Sequence, residues 1–349
     1  MFAKRSKIAF FALILLLAIA LAFHIFYQTS SIFRNNDNVS CSILLYDIKD
    51  VFPDTLKCYQ VIYDKNTNCL KILSINTDIV LLKKHKKAKS LKTLFREDLN
   101  KGLNSSIENF YINLQEVVKS YKKSDFYIHM SFESFLLIMA DNDLKAMVLR
   151  DDFLNKDLEL LNNLDFLESM LKLVPFKAVN TIKKYNLIDT NIARMSFLNL
   201  MVKFKIDKPL IMFCELPVKY ARSRVEPDTQ NIEEFLNNVY YGSNSFEYDK
   251  KDCFINVKNA SGKPRMARKV TWLLRENKFD VLDWSNFNKV YEKTLIKSFN
   301  GNFKKCLDIA KILNTSKILI SYNNKVYYDI SVFIGKDCVI YDNFDKIEG

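Results

Sequence analysis

The chain has 349 residues, of which 49% are apolar, so it is long and hydrophobic enough for two domains with buried cores. Its three histidines are too few for a histidine-rich zinc site. Its seven cysteines are odd in number and form no Cys-x-x-Cys pair, and most are expected to be small buried side chains. Of the six glycines only Gly102 precedes residue 241, which argues against a glycine-built phosphate loop in that stretch. The later glycines are expected at turns.

The N-terminus combines a basic segment with an apolar run. Residues 1–7 carry three basic side chains, and residues 8–27 are apolar except for His24. A run of this length spans roughly 30 Å as a helix, the thickness of the hydrocarbon core of a bilayer. We therefore predict a single-pass cell-membrane anchor at 8–27, with 1–7 cytoplasmic and the rest of the chain extracytoplasmic by the positive-inside rule. The alternative is a cleaved signal peptide ending near Ala20-Leu21-Ala22, which also exports the body of the protein.

The net charge of +12 bears on possible partners. Outside the cytoplasm such a balance favours anionic envelope polymers or lipid headgroups, and no nucleic acid partner is expected. The alternative account is a general drift to lysine in a composition rich in Asn, Lys, Ile and Phe.

Residues 28–40 resemble a polar linker, and 41–241 a mixed-sheet α/β domain. Short apolar runs predict strands, and apolar residues spaced by about 3.6 positions predict helices. The predicted strands are Ile43–Tyr46, Tyr59–Tyr63, Leu70–Ile75, Phe126–Met130, Ala146–Leu149, Leu210–Glu215 and Lys219–Val225, with a hairpin turn at 64–68. Helices are predicted from Ile107, from Phe132 and over Asn231–Tyr240. The whole segment Asp157–Phe204 is expected to be a helical insert whose Leu and Met stripes are core.

A Gly242-Ser243-Asn244-Ser245 stretch opens a linker at 242–250. Residues 251–342 then show a βαββαβ order, which predicts a small sheet with both helices on one face. The predicted strands are 254–257, 279–284, 294–299, 318–321 and 330–334, and the predicted helices are 265–277 and 303–313.

This C-terminal part resembles a known family. Residues 254–262, Phe-Ile-Asn-Val-Lys-Asn-Ala-Ser-Gly, are similar to the opening strand and N-G/A-[ST]-G turn of the LytR C-terminal domain. Residues 329–337, Asp-Ile-Ser-Val-Phe-Ile-Gly-Lys-Asp, are similar to its last strand. The resemblance covers residues 251–340 and implies a compact βαββαβ module.

Residues 41–241 resemble the LytR-CpsA-Psr (LCP) domain, which usually accompanies that module on a single membrane anchor. Pro53-Asp54-Thr55 and Ile72–Asp78 are similar to the family motifs R-S-D-T and L-S-I-P-R-D. Both arginines of those motifs are absent, with Phe52 and Thr77 in their places, and the Gly-Gly pair of the family is missing near 140–143. Arg150 is the nearest counterpart of a later arginine-rich motif.

The resemblance to the LCP domain implies a transfer reaction, and the missing arginines imply that this chain has lost it. In active LCP members the arginines hold the pyrophosphate of a polyprenyl-linked glycan, the aspartates hold Mg²⁺, and the glycan phosphate is transferred to peptidoglycan. Arginine offers bidentate, permanently charged donors, which Thr and Phe cannot replace. The chain is therefore expected to be a non-catalytic member. The alternative is an active phosphotransferase whose arginines come from other positions, with Arg96, Arg150 and Arg194 as candidates.

Several residues are candidate ligands for such a substrate. Asp54 and Asp78 are candidate Mg²⁺ ligands, or else surface carboxylates at strand ends. The densest basic run contains Lys83, Lys84, Lys86 and Lys87, with Lys89 and Lys92 close behind. It is a candidate contact for an anionic lipid or polymer, or else a solvated loop.

Arg222 and Arg224 echo an Arg-x-Arg phosphate site, because alternate residues of a strand share a face. Their place after the helical insert predicts instead edge charges on the closing strand of the domain. His129 lies in an apolar strand and is expected to be a satisfied core histidine.

The sequence thus predicts a membrane-anchored, extracytoplasmic envelope protein that acts as an accessory factor in cell-wall glycopolymer assembly. It would bind a polyprenyl-linked or anionic wall polymer, with the helices of 157–204 as a candidate lipid pocket. A third hypothesis is a structural spacer that recognises wall material through residues 251–349.

Overall fold

The computed structural model describes residues 38–47, 56–81, 88–141, 189–191, 204, 206–221, 224–241, 253–322 and 326–339. No helix within these ranges is long and apolar enough to cross a membrane. The predicted anchor at 8–27, the predicted strand at 146–149 and most of the predicted helical insert lie outside the described residues.

The described chain has a mixed α/β architecture. Its strands are β1 Asn38–Tyr46, β2 Leu56–Asp64, β3 Cys69–Ile75, β4 Val80–Leu81, β5 Lys89–Ser90, β6 Phe126–Ser131, β7 Asp189–Thr190, β8 Leu210–Glu215, β9 Val218–Ala221, β10 Arg224–Pro227, β11 Ile255–Asn259, β12 Val281–Asn286, β13 Leu295–Ser298, β14 Lys317–Ile320 and β15 Ile330–Ile334. The helices are α1 Leu91–Leu99, α2 Leu103–Val117, α3 Phe132–Asp141, α4 Ile232–Tyr241, α5 Met266–Glu276 and α6 Phe303–Leu313.

Eleven of these strands form one mixed sheet in the order β12-β11-β15-β13-β14-β8-β3-β2-β1-β6-β7. β1, β2 and β3 are antiparallel neighbours. The turn between β2 and β3 lies where it was predicted: the carboxylate of Asp64 accepts the backbone N–H groups of Asn66 and Thr67, and Asn68 adopts a left-handed φ of 48°. Asp and Asn favour turns because their side chains bond the backbone that follows and because both residues tolerate positive φ.

The C-terminal strands join this sheet through β14, which runs parallel to β8. Two β-α-β units, β11-α5-β12 and β13-α6-β14, are each parallel pairs, and β15 lies between β11 and β13. The part therefore contains the five strands predicted from the sequence, and they extend the main sheet through β14. Alternate strand residues such as Val257, Ile296 and Val332 belong to one core with Val270 of α5 and Ile309 of α6.

Three glycines of this part are described. Two of them lie in turns, as predicted, and the third is required by a close backbone contact. Gly262 and Gly301 adopt positive φ values of 72° and 77° in turns. Gly335 has a different reason for being glycine, because a Cβ there would lie 2.3 Å from the carbonyl carbon of Lys293. The last strand can therefore pass this close to the 293–294 backbone only without a side chain.

Two sequence predictions are wrong. The segment 157–204 is not helical throughout, because Asp189–Thr190 forms β7 and pairs antiparallel with β6. The predicted single strand Lys219–Val225 is instead a hairpin, in which β9 and β10 pair antiparallel as a separate two-stranded sheet. A two-residue strand shows no periodicity, and the hairpin carries no Gly, Pro or Asn at its turn, so neither had a local signal.

A buried ion pair ties α4 to the centre of the sheet. Lys71 of β3 is 1% exposed, its Nζ lies 3.3 Å from a carboxylate oxygen of Asp64, and it donates a hydrogen bond to the carbonyl of Val239 at 3.1 Å. Removing one partner of a buried pair leaves the other charge without compensation, which costs far more than the pair itself contributes.

We therefore expect Lys71→Met to lower the free energy of unfolding by about 3–5 kcal/mol in urea denaturation, because the Asp64 carboxylate stays buried and unpaired. The double variant Lys71→Met with Asp64→Asn should recover part of this loss. The matched control is Lys89→Met, whose lysine pairs with Glu97 at 2.6 Å on the surface and should cost less than about 1 kcal/mol. Equal effects of the two single variants would contradict the prediction.

Candidate functional site

Asp78, a candidate metal ligand from the sequence, lies in the turn that follows β3. Its backbone N–H donates to the side-chain oxygen of Asn76 at 2.9 Å, which fixes the turn. Its carboxylate is partly exposed and lies 3.0 Å from the Nζ of Lys92. The carboxylate that is a candidate Mg²⁺ ligand is therefore already paired with an ammonium group.

The first turn of α1 places Lys92 there. Ser90 caps the helix by accepting the N–H of Thr93 at 3.1 Å. The two preceding N–H groups are bound by the turn itself: Leu91 donates to the carbonyl of Ile79 at 3.0 Å and Lys92 to that of Thr77 at 2.9 Å. The start of α1 and the Asp78 turn are thus one hydrogen-bonded unit, and the ion pair follows from it.

Thr77 stands where the LCP motif has an arginine, and its side chain is directed inward. The residue is 8% exposed, and its hydroxyl donates to the carbonyl of Leu56 at 2.9 Å. It therefore serves to hold the start of β2 rather than to bind a ligand.

The β9–β10 hairpin also reaches this turn. Val225 and Ile79 form an isolated parallel bridge, so Arg224 and Asp78 each come one residue before the bridged pair. Arg224 is exposed. The expectation that Arg224 lies on the closing strand of the domain is therefore wrong: its strand is outside the main sheet and adjoins the Asp78 turn.

A second ion pair holds this hairpin. Lys219 Nζ lies 2.7 Å from one carboxylate oxygen of Asp228, and Asn231 donates to the other at 2.7 Å. Burial opposes ionisation of Asp228, but the bonds from Lys219 and Asn231 outweigh it and hold the pKa of the carboxyl below its ordinary value. Asp228 is thus a structural acid that orients the hairpin.

Of the remaining sequence candidates, some lie within the described residues and the others lie outside them. Arg96 is exposed on α1, four residues after Lys92 and so on the same helix face. Lys89, which follows the basic run, is paired with Glu97. Asp54, Lys83, Lys84, Lys86, Lys87, Arg150, Arg194 and Arg222 lie outside the described residues, and their roles stay predictions. Within the described ranges, no group of three or more His, Cys, Asp or Glu residues is arranged to hold a metal ion.

All seven cysteines are unpaired, and six of them are buried. Burial raises the pKa of the Cys69 thiol to about 12, and that of Cys338 to about 11. It also raises the pKa values of the other five thiols. The thiols therefore stay protonated, and their burial confirms the prediction that most of them are small buried side chains.

His129 is buried in β6, as predicted. Its ring stacks on Tyr127 with centroids 4.5 Å apart, its Nε2 lies 3.3 Å from the hydroxyl of Tyr111, and its Nδ1 lies 3.5 Å from a carboxylate oxygen of Asp189 in β7. Burial lowers the pKa of His129 below its ordinary value, and the charge of Asp189 opposes this shift in part. The sequence did not indicate the partner, since Asp189 lies in a strand of two residues, 60 positions away.

Comparisons with known proteins give a partial match. No family model and no curated protein matches the chain. Among solved structures, TagV of B. subtilis is similar with a TM-score of 0.43 and 14% identity, over 60% of this chain and 99% of TagV. Lin1025 of Listeria innocua has a TM-score of 0.40 and 12% identity, over 60% of this chain and 100% of that protein. A structure of TagT bound to LI-WTA has a TM-score of 0.39 and 12% identity, over 59% and 92%. Similarity at this level assigns neither an activity nor a ligand to this chain.

The buried imidazole predicts a pH dependence of stability. Because the pKa of His129 in the folded protein lies below the ordinary value of 6.5, the unfolded chain binds more protons between these two values. Stability is therefore expected to fall as the pH is lowered through about 6.5, and to level off below the pKa of the folded state. Urea midpoints measured from about pH 7.5 to about pH 5.5 report the slope.

His129→Gln should flatten this part of the profile, since it has no imidazole to titrate. Asp189→Asn should steepen it, because the charge that opposes the downward shift of the His129 pKa is removed. Profiles of equal slope in the parent and in His129→Gln would rule out His129 as the source of the pH dependence.

Proposed function

We propose that the protein is a membrane-anchored, extracytoplasmic envelope protein that acts as a non-catalytic accessory factor in cell-wall glycopolymer assembly. The basic and apolar N-terminus supports the anchor, and the resemblance of residues 41–241 and 251–340 to LCP and LytR C-terminal sequences supports the place in wall assembly. Its ligand would be a polyprenyl-linked or anionic wall polymer.

The observation that carries the non-catalytic part of the proposal is the Asp78–Lys92 ion pair. Mg²⁺ prefers several oxygen ligands in near-octahedral geometry. At this turn the described residues supply one carboxylate, and an ammonium group at 3.0 Å already neutralises it. These residues do not fit a resident Mg²⁺, so we derive no step that uses one.

The same turn is better suited to bind an anion than to transform it. Lys92 pairs with the Asp78 carboxylate, Arg224 is exposed one residue before the backbone bridge to this turn, and Arg96 shares the helix face of Lys92. A lysine binds a phosphate oxygen as a point charge, whereas an arginine binds two oxygens in a fixed geometry. Holding a diphosphate requires only net positive charge, while stabilising its transfer requires donors aimed at the charge that develops. The family motif has an arginine donor at this position. Thr77, whose hydroxyl is bonded to the carbonyl of Leu56, does not supply one.

A second candidate function is an active glycopolymer phosphotransferase. The bridge between Ile79 and Val225 favours it, because it brings the segment that carries Arg224 beside the turn where the local motif lacks an arginine. Arg224 would then orient the pyrophosphate together with Arg96, Arg150 or Arg194.

Geranylgeranyl pyrophosphate is a suitable probe to separate the two functions. We expect the full-length chain to bind it without releasing phosphate, with or without added Mg²⁺. Lys92→Ala and Arg224→Ala should each weaken binding several-fold, because each removes a charge that faces the diphosphate. Binding is measured by calorimetry, and release by a phosphate assay.

Lys89→Ala is the matched control, since Lys89 lies close in sequence but pairs with Glu97. It should bind the probe like the parent. Mg²⁺-dependent phosphate release that Asp78→Asn abolishes would overturn the accessory function and establish the enzyme. Absence of binding in the parent would overturn the diphosphate ligand.

A further inference from the structure

Both tryptophans of the chain are on the surface of its C-terminal part. The sequence contains only Trp272 and Trp284, and they are 48% and 45% exposed. Tryptophan is highly buried on average in folded proteins. Two half-exposed indoles in one small region therefore mark a surface on which rings are available for contact.

The fold brings the two indoles to the same edge. Trp272 lies on the outer side of α5, the helix that connects β11 to β12. Trp284 lies in β12 opposite Val257 of β11, and Val257 belongs to the core beneath α5, so Trp284 projects on the α5 side of the sheet. The helix and the strand are in contact.

An arginine of α5 contacts one of the two rings. The guanidinium of Arg275 lies 5.4 Å from the centre of the Trp284 ring and donates to the carbonyl of Val281 at 2.6 Å, which fixes its position. Arg275 is three residues after Trp272 and Arg268 is four residues before it, so both are neighbours of Trp272 on the helix surface. We call these four residues, Arg268, Trp272, Arg275 and Trp284, the tryptophan patch.

The patch lies at an open border of the sheet. β12 is the terminal strand of the eleven, and every residue of it after Val281 is exposed. Among the described residues, no other strand pairs with the outer side of β12. An extended chain molecule can therefore lie along this border and contact the indoles and the guanidinium groups together.

Charge indicates what such a molecule would be. Residues 265–286 contain five basic and three acidic side chains, a modest positive excess. Nucleic acid binding usually depends on many phosphate contacts from a dense basic surface, which this border lacks. A polysaccharide offers the apolar faces of its sugar rings to the indoles, and acidic groups on it accept the paired donors of arginine. We propose that the tryptophan patch binds an anionic polysaccharide chain.

The chain carries its own probe for this proposal. Because both tryptophans belong to the patch, tryptophan fluorescence of the full-length protein reports on the patch alone. We expect polygalacturonate to change the emission saturably and added salt to weaken the effect. Dextran, which has rings without charge, and polyphosphate, which has charge without rings, should both bind at least about tenfold more weakly, since each lacks one of the two interactions.

Single substitutions test the individual residues, because each tryptophan variant keeps the other fluorophore. Trp272→Ala and Trp284→Ala should each weaken polygalacturonate binding by about tenfold, and Trp284→Phe should retain part of it. Arg275→Gln should weaken binding and reduce its salt dependence. Tyr327→Ala, which removes another exposed ring stacked on Phe254, is the matched control and should bind like the parent.

The patch is independent of the Asp78 turn, so the two proposals fail separately. Asp78→Asn should leave the response to polygalacturonate unchanged. No change of emission with polygalacturonate, an equal response to polyphosphate or to single-stranded DNA, or unchanged binding in both alanine variants would overturn the assignment of the patch to an anionic polysaccharide.

Discussion

The hydrogen bonding of β8 on both of its edges is the constraint on which the rest of the structure depends. β8 runs parallel to β3 on one side and to β14 on the other. Met212, Phe213 and Cys214 are completely buried, as expected for a strand that is covered on both faces of a sheet. Without β8 the sheet would divide into two, each with a new unpaired edge. The strand therefore fixes the N-terminal and C-terminal strands in one frame.

β8 also positions two segments of the candidate site next to each other. The backbone after it stays attached to β3, since Leu216 donates to the carbonyl of Ser74 at 3.1 Å. This keeps the β9–β10 hairpin beside the turn that holds Asp78. Asp78 and Lys92 form an ion pair, and the segment that carries Arg224 is bridged to the same turn, because these three separate segments are ordered around the end of β3.

The sequence predicted the positions of helices and strands far better than it predicted which segments pair with each other. Apolar spacing located α6 at residues 303–313 and β15 at 330–334, the bounds that the structure has. It did not indicate that β15 inserts between β11 and β13, because strand pairing is decided by contacts between distant segments. For the same reason the sequence places Lys92 in a charge run, although its partner is an acid fourteen residues earlier. Local sequence patterns report on burial, whereas an ion pair depends on which distant segments of the chain the fold brings together.

The two proposed binding regions adjoin strands of one sheet, so the strand order gives their lateral separation. From β12, which carries Trp284, to β3, which precedes Asp78, there are six steps in the strand order. Six spacings of about 4.8 Å give roughly 30 Å across the sheet. A single polymer that contacts both regions must span this distance, and its second contact is then intramolecular, at an effective concentration set by the polymer between them. Under the two proposals, a long anionic chain that contacts both regions would dissociate more slowly than a short fragment that reaches only one of them.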